Sequence, residues 1–229
     1  MIPKRIGIVT PVGPESQRLR NAIESVAAQR WPAAIHMVVY DGHEPAERDP
    51  RVRHVVLPLP CEDTGATPRA VGANLALAQH CDALAFLDAD NTWLPEHLES
   101  LAKLADRYDI TVSARRICDT NGQLLYDDDM ESDGAIFADT NCFLLTGRAV
   151  GIARHWGDVP RKPGIRTAGV DRVFWGRVRK QGFSIGCTGL ATVCYRSRWL
   201  AHYSLYPERK PPRCKVLEIV DDIPTVKWV

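Results

Sequence analysis

The chain has 229 residues, 45% of them hydrophobic and 25% charged, which is enough to bury the core of one α/β domain or at most two small ones. Its 29 basic and 28 acidic residues leave a net charge of +1, so no overall field steers it toward nucleic acid. No apolar run reaches the roughly 20 residues that cross a bilayer, and seven cysteines, an odd number without a C-x-x-C pair, weigh against a disulfide framework and a zinc ribbon and favour reduced, mostly core-filling thiols in a cytoplasmic protein.

Met1-Ile2-Pro3-Lys4-Arg5 leads into a strand pattern rather than a signal-peptide core. Residues 5–10 form a short β-branched run closed by Pro11, Gly13 and Pro14. Leu19, Ala22, Ile23, Val26 and Ala27 then recur at helical spacing, with Ser16 as N-cap and Pro32 barring continuation past Trp31. A second apolar strand, residues 35–40, ends at Asp41-Gly42, and a weaker third covers 51–57. A small-residue helix after Pro68 carries Val71, Leu75 and Ala78. It feeds the strand 83–87, which ends in Asp88-Ala89-Asp90. Pro95 opens another helix with Leu94, Leu98, Leu101 and Ala105 on one face. Such alternation predicts an α/β fold with a mixed, mainly parallel sheet, helices on both faces and a Rossmann-like first half.

The second half is less regular. Residues 110–117 and 123–126 flank Asp119-Thr120-Asn121-Gly122, whose Asn-Gly predicts a hairpin turn, and 127–133 read as a loop. Residues 142–146 and 191–195 look like strands, with a helix carrying Val170, Val173, Phe174 and Val178 between them. Residues 207–229 hold four prolines and read as a wrapping tail.

The chemistry concentrates at Asp88 and Asp90. In extended geometry, carboxylates at i and i+2 project to one side, and these follow an apolar strand, at the end where open parallel sheets bind ligands. Two neighbouring carboxylates repel unless a cation or a proton intervenes. A hard dication, Mn2+ or Mg2+, suits them because it fills its other positions with phosphate and water oxygens. Asp, Asn and Thr also cap helices, so a helix start near Pro95 is the competing account.

Several elements then arrive in a telling order. Val9-Thr10-Pro11-Val12 ends strand one and is followed by the helix Leu19-Arg20-Asn21-Ala22-Ile23-Glu24-Ser25-Val26-Ala27-Ala28-Gln29-Arg30-Trp31-Pro32. Val38-Val39-Tyr40-Asp41-Gly42 ends strand two, and residues 65–72, containing Arg69, precede Phe86-Leu87-Asp88-Ala89-Asp90-Asn91. Later comes Gly169-Val170-Asp171-Arg172-Val173-Phe174-Trp175. This succession, over roughly residues 5–197, resembles glycosyltransferase family 2, the inverting, nucleotide-diphospho-sugar-dependent enzymes of the GT-A fold.

The resemblance implies a single domain over 1–229, with a nucleotide-sugar-binding half at about 1–107, an acceptor-binding half at about 108–206 and the tail beyond. It implies that Thr10, Pro11, Val12, Asp41, Arg69, Asp88 and Ala89 line the donor site. Asp90, with Asp88, would hold Mn2+ or Mg2+, and Asp171 would be the general base on the acceptor hydroxyl. Capping of the helix that begins there is the plainer account of Asp171. Val170 stands where the family usually has Glu, Ala70 where Asn commonly follows the arginine, and Asn91 in place of a frequent third acid.

Further candidates are His202 as a metal neighbour and Asp139, Asn141 and Trp175 at the acceptor. Arg196, Arg198, Arg209, Lys210, Arg213 and Lys215 form either a basic lid over the diphosphate or a solvated face. The expected partners are a nucleotide-sugar donor, UDP-linked by default, and a carbohydrate or other hydroxyl acceptor, with no nucleic acid and no membrane span. Asp88-Ala89-Asp90-Asn91-Thr92 also fits the D-x-D-x-T of haloacid-dehalogenase-type phosphohydrolases, with Asp88 as nucleophile, Asp90 as acid/base and Asp221-Asp222 as the late acidic pair. A GT-A scaffold that binds a sugar nucleotide without turnover is the third alternative. No G-x-G-x-x-G follows a strand, which disfavours a dinucleotide-dependent oxidoreductase.

Overall fold

The structure, a computed structural model, describes residues 2–14, 16–128, 130–158, 169–220 and 223–229. The first half alternates β1 (Ile6–Val12), α1 (Leu19–Ala27), β2 (Ile35–Tyr40), β3 (Arg53–Val56), α2 (Ala66–Ala78) and β4 (Ala83–Phe86). β1 is buried along its whole length, as a strand covered on both faces must be. It pairs in parallel with β2 and β4, and β2 pairs in parallel with β3. Val12 lies beside Tyr40 and Val9 beside Phe86, so the carboxyl ends of β1, β2 and β4 lie along one edge. Asp41 and Asp88 emerge there.

β5 (Thr92–Trp93), α3 (His97–Ala102), β6 (Ile110–Cys118), β7 (Leu124–Asp128), β8 (Phe143–Thr146), α4 (Val170–Lys180) and β9 (Ile185–Arg196) complete the body. β8 runs antiparallel between β4 and β6, β9 lies parallel to β6, and β5 is antiparallel to β9. The mixed nine-stranded sheet runs β3-β2-β1-β4-β8-β6-β9-β5, with β7 beside β6. Parallel pairing joins β3, β2, β1 and β4 of the first half and, in the second half, β6 and β9. The β6–β7 hairpin turns at Gly122, whose φ of 89° is a conformation glycine adopts without strain.

Alternation along β4 divides the core. Leu84 and Phe86 face a cluster with Val9, Phe143, Trp156 and Phe174, while Ala83 and Ala85 face one with Ile8, Val26, Leu98 and Leu101. Helices α2 and α4 cover the first face, α1 and α3 the second. Gln29 ties the second layer together, donating to the carbonyls of Ser25 (3.0 Å) and Leu94 (2.8 Å) and accepting the N–H of Leu98 (2.9 Å).

Several expectations need correction. Ser16 does not cap α1; Arg18 holds the N-cap without a side-chain bond, and the Ser16 N–H closes a turn on Gly13. The buried face of α2 is Arg69, Ala70, Gly72, Ala73 and Ala76 rather than Val71 and Leu75, because a Cβ at Gly72 would run into Val9 and Val39. Only small residues let the helix approach β1 and β2 so closely. β9 spans twelve residues where 191–195 were expected. The C-terminal segment is no loose tail: β10 (Lys215–Val220) and β11 (Ile223–Trp228) form an antiparallel hairpin. Its prolines do not prevent this, since Pro211 and Pro212 precede the first strand and Pro224 sits in a two-stranded ribbon that spares its missing donor. Cys214 and Val229 exchange backbone hydrogen bonds of 2.9 Å, and the Lys215 N–H donates to the Arg198 carbonyl at 2.6 Å, which fastens the hairpin to the body. All seven cysteines are free. Among the described residues no helix is long and apolar enough to cross a membrane.

Candidate active site

β4 delivers Asp88 into a tight turn, closed by the Asn91 N–H on the Asp88 carbonyl at 3.0 Å. The acids therefore lie on a turn, not on the extended segment that the i, i+2 argument assumed. Asp88 is held on two sides. Its Oδ1 pairs with the buried Arg69 guanidinium of α2, and its Oδ2 accepts from Asn141 Nδ2 at 3.1 Å. Its backbone N–H also donates to Asn141 Oδ1 at 2.6 Å. Arg69 is itself fixed, lying over the Trp156 ring at 5.1 Å and donating to the Thr64 carbonyl at 2.9 Å.

Asp90 is different. Its side chain reaches solvent and accepts no hydrogen bond from another described residue. The crowding of surrounding protein, and then the charge of Asp88, push its carboxyl up to about 6, with Lys215 and Arg196 acting the other way. Arg196 locks the turn from β9: its Nη1 donates to the Asp90 carbonyl (3.0 Å) and its N–H to Asn91 Oδ1 (2.9 Å). Asn91 thus earns its place as a structural tie where the family often has an acid. Two carboxylates on one turn, one of them without a partner among the described residues and raised first by desolvation and then by its neighbour's charge, fit a divalent cation held mainly by Asp90 and completed by water or phosphate oxygens. Among the described residues no group of three His, Cys, Asp or Glu side chains is arranged to hold an ion.

His202 does not join this pair. Its Nδ1 meets Ser197 Oγ at 2.7 Å and its ring lies 6.2 Å from both Tyr126 and Tyr195, so it is a packed residue whose burial, followed by the Arg115 charge, lowers its pKa. Thr10 is fully buried and bonded to His36 at 2.8 Å, so its side chain is turned into the core. Val12 and Ala89 pack in a small cluster with Val38 and Tyr40. Pro11 abuts Gly65, where a Cβ would come within 2.9 Å of it. These four supply a wall, without a polar side-chain group for a ligand. Asp41 uses its carboxylate on its own chain, accepting the N–H groups of Cys61 (2.8 Å) and Glu62 (3.1 Å). Trp175 is only 1% exposed and packs on Phe143 at 5.5 Å, so it cannot stack on a sugar.

Asp139 and Asn141 lie behind Asp88 rather than on an open acceptor face; both are buried. Asp171 stands in the first turn of α4, after the left-handed Gly169, and accepts the Arg172 N–H at 2.9 Å. Burial, then the charge of Asp139, push it up to about 6, against Arg172 and Arg69. Arg69 therefore acts on both Asp88 and Asp171, which links the two acids to one region. Sequence reasoning missed Arg115, Tyr195 and the clamp by Arg196; their partners are distant in the chain, and no local pattern marks them. A surface hollow lined by Asp133, Gly134, Arg179, Phe183, Ile185 and Cys187 shares no residue with this cluster.

A parallel first half, a mixed second half and an acid turn at their junction define a fold of the GT-A glycosyltransferase type. The model of glycosyl transferase family 2 matches residues 7–150, and the chain belongs to that family. Its fold is similar to that of S. aureus TarS 1-349, at 14% identity and a TM-score of 0.62 over 83% of this chain and 60% of that one. The complex of TarS 1-349 with UDP-GlcNAc matches at 15% identity and a TM-score of 0.63, over 88% and 61%, respectively. The UDP complex matches at 14% and 0.61, over 83% and 60%. The chain thus spans about 60% of the length of those structures. No curated protein matches it in sequence. Family membership removes the phosphohydrolase alternative, and Asp88, tied to Arg69 and Asn141, is not a poised nucleophile. Asp221 and Asp222 lie outside the described residues.

Proposed function

We propose that this chain moves a sugar, of hexosyl type, from a UDP-linked donor to a hydroxyl acceptor with inversion, using Asp171 as general base. Mn2+ or Mg2+ would be held by Asp90 and Asp88. The observation that carries this is the contrast within the acid turn: Asp88 is paired and fixed, while Asp90 has no side-chain partner among the described residues and is raised to about 6. TarS, of like fold, has been solved with UDP and with UDP-GlcNAc, which supports a uridine nucleotide as donor.

A bound dication would offset the negative charge that gathers on a departing diphosphate. The chain's own part is to hold and orient. Arg69 and Asn141 each hold one oxygen of Asp88, which leaves Asp90 as the carboxylate free to turn toward a cation. Inversion needs a base on the sugar face away from the leaving group, within reach of the attacking hydroxyl. Asp171, raised to about 6, is ionised at neutral pH yet basic enough to accept a proton as the new bond forms.

A thermal-shift panel of nucleoside diphosphates and sugar nucleotides, each with and without Mn2+, tests the reading. Stabilisation by uridine nucleotides only when metal is present is expected, because a ligand of the folded state raises apparent stability. Stabilisation by none of them would overturn it. Tight metal-dependent binding with neither transfer nor donor hydrolysis would instead leave a binding scaffold without turnover.

A further inference from the structure

We propose that Asp139 and Asn141 are positioning residues that couple the donor-side acid Asp88 to the base Asp171, an inference resting on the glycosyl-transfer reading above. The contacts are continuous. Asn141 grips Asp88 twice, through Nδ2 to Oδ2 (3.1 Å) and through Oδ1 to the backbone N–H (2.6 Å). The same Nδ2 reaches Asp139 Oδ1 at 2.6 Å, and the Asn141 N–H reaches that oxygen at 2.9 Å. The other Asp139 oxygen accepts from Arg115 Nη1 at 2.8 Å.

Arg115 cannot swing, because it is buried 4.9 Å from the Tyr195 ring centre and also bonded to Asp128 (2.9 Å) and Glu131 (3.1 Å). Glu131 in turn accepts from Arg172, the residue after Asp171, at 3.1 Å. A buried carboxylate pinned on both oxygens has no rotational freedom left, so Asp139 dictates where Asn141 stands and Asn141 dictates where Asp88 stands. An amide suits position 141 because it offers a donor to two carboxylates and an acceptor to a backbone N–H at once. Asp139 also acts on Asp171 by charge, where it is the one acid against the cations Arg172 and Arg69.

Two variants separate these roles. Asn141→Ala should weaken Mn2+-dependent UDP binding about tenfold or more while the unliganded protein keeps its far-UV spectrum. Asp139→Asn keeps an oxygen for Asn141 but removes the charge. It should move the acid limb of the kcat/KM profile to lower pH. Parent-like UDP affinity in Asn141→Ala, or an unmoved acid limb in Asp139→Asn, would overturn the coupling. If the parent protein itself shows no metal-dependent nucleotide binding, the glycosyl-transfer reading fails instead.

A separate observation concerns sulfur. Cys118 Sγ and Cys194 Sγ approach to 2.7 Å across the parallel pair β6 and β9. Cys194 is the half-buried member, and Cys118's S–H, the charges of Arg196 and Arg116 and the Thr92 hydroxyl favour its thiolate. We infer that this pair is a modification site that closes to a disulfide with a small disulfide oxidant such as oxidised glutathione. The Cys194 thiolate attacks the oxidant's S–S bond and expels one thiolate; Cys118 then attacks the mixed disulfide and expels the second. The two cysteine protons end on the released thiols, and two electrons pass to the oxidant. The bond would tie β6 to the strand that carries Arg196, two residues beyond Cys194.

Titration with oxidised glutathione, followed by peptide mass spectrometry, tests this. Loss of two free thiols and a crosslinked pair of peptides containing Cys118 and Cys194 is expected, and Cys118→Ser should leave a glutathione adduct on Cys194. Retention of both thiols, or a crosslink between other cysteines, would overturn the inference.

Discussion

Asp90 and Asp171 are both raised to about 6, for parallel reasons and with opposite uses. Asp90 shares a turn with Asp88, and a cation would relieve that repulsion. Asp90→Ala should therefore remove the Mn2+ dependence of nucleotide stabilisation, read as a UDP melting shift equal with and without metal. Asp171 is a base only when ionised, so transfer should rise as pH climbs through about 6, and the limb should vanish with Asp171→Ala while UDP binding persists. Loss of UDP binding in that variant would count against its role. The acid pair was legible because two Asp residues closing an apolar strand form a short local pattern. Asn141's hold on Asp88 was not legible because the two lie 53 positions apart, and nothing near Asn141 in sequence announces that contact.

At the level of elements, the parallel half could be read because each strand and helix carries its own periodicity. β5 has two residues and exists only because Thr92 and Trp93 pair with Cys194 and Val193. The start of β9 and the β10–β11 hairpin likewise depend on partners that a local window does not contain. The close seating of α2 gives a direct test. Gly72→Ala would press a methyl group into Val9 and Val39, an overpacking that should cost about 1–3 kcal/mol in urea unfolding. Gln29→Ala should cost about 1–3 kcal/mol, since it leaves the Leu94 carbonyl and the Leu98 N–H without their partner.

For the whole molecule, buried histidines govern the acid side of stability. Burial holds His36 and His97 down to about 3, from an ordinary 6.5. The unfolded chain thus binds protons that the folded chain refuses, so their contribution is complete above pH 6.5 and is lost as pH falls toward 3. Asp90 and Asp171 act in the opposite sense, since folding disfavours their ionisation as pH rises through about 6. Urea midpoints measured without metal should accordingly decline on the acid side, and added Mn2+ should raise them most at neutral pH, where Asp90 is charged.

The seating of Gly72 has a consequence for how a nucleotide gets in. Arg69, one turn earlier on the same helix, stands on a closely packed floor, whereas the adjoining rim holds Glu62 and Thr64 at φ of 55° and 56°, left-handed values that strain a residue with a Cβ. Backbone so placed has little to lose by rearranging. Entry should therefore bend the rim and spare the floor, so that amide exchange slows on ligand addition at residues 61–65 and stays unchanged along the buried side of the helix.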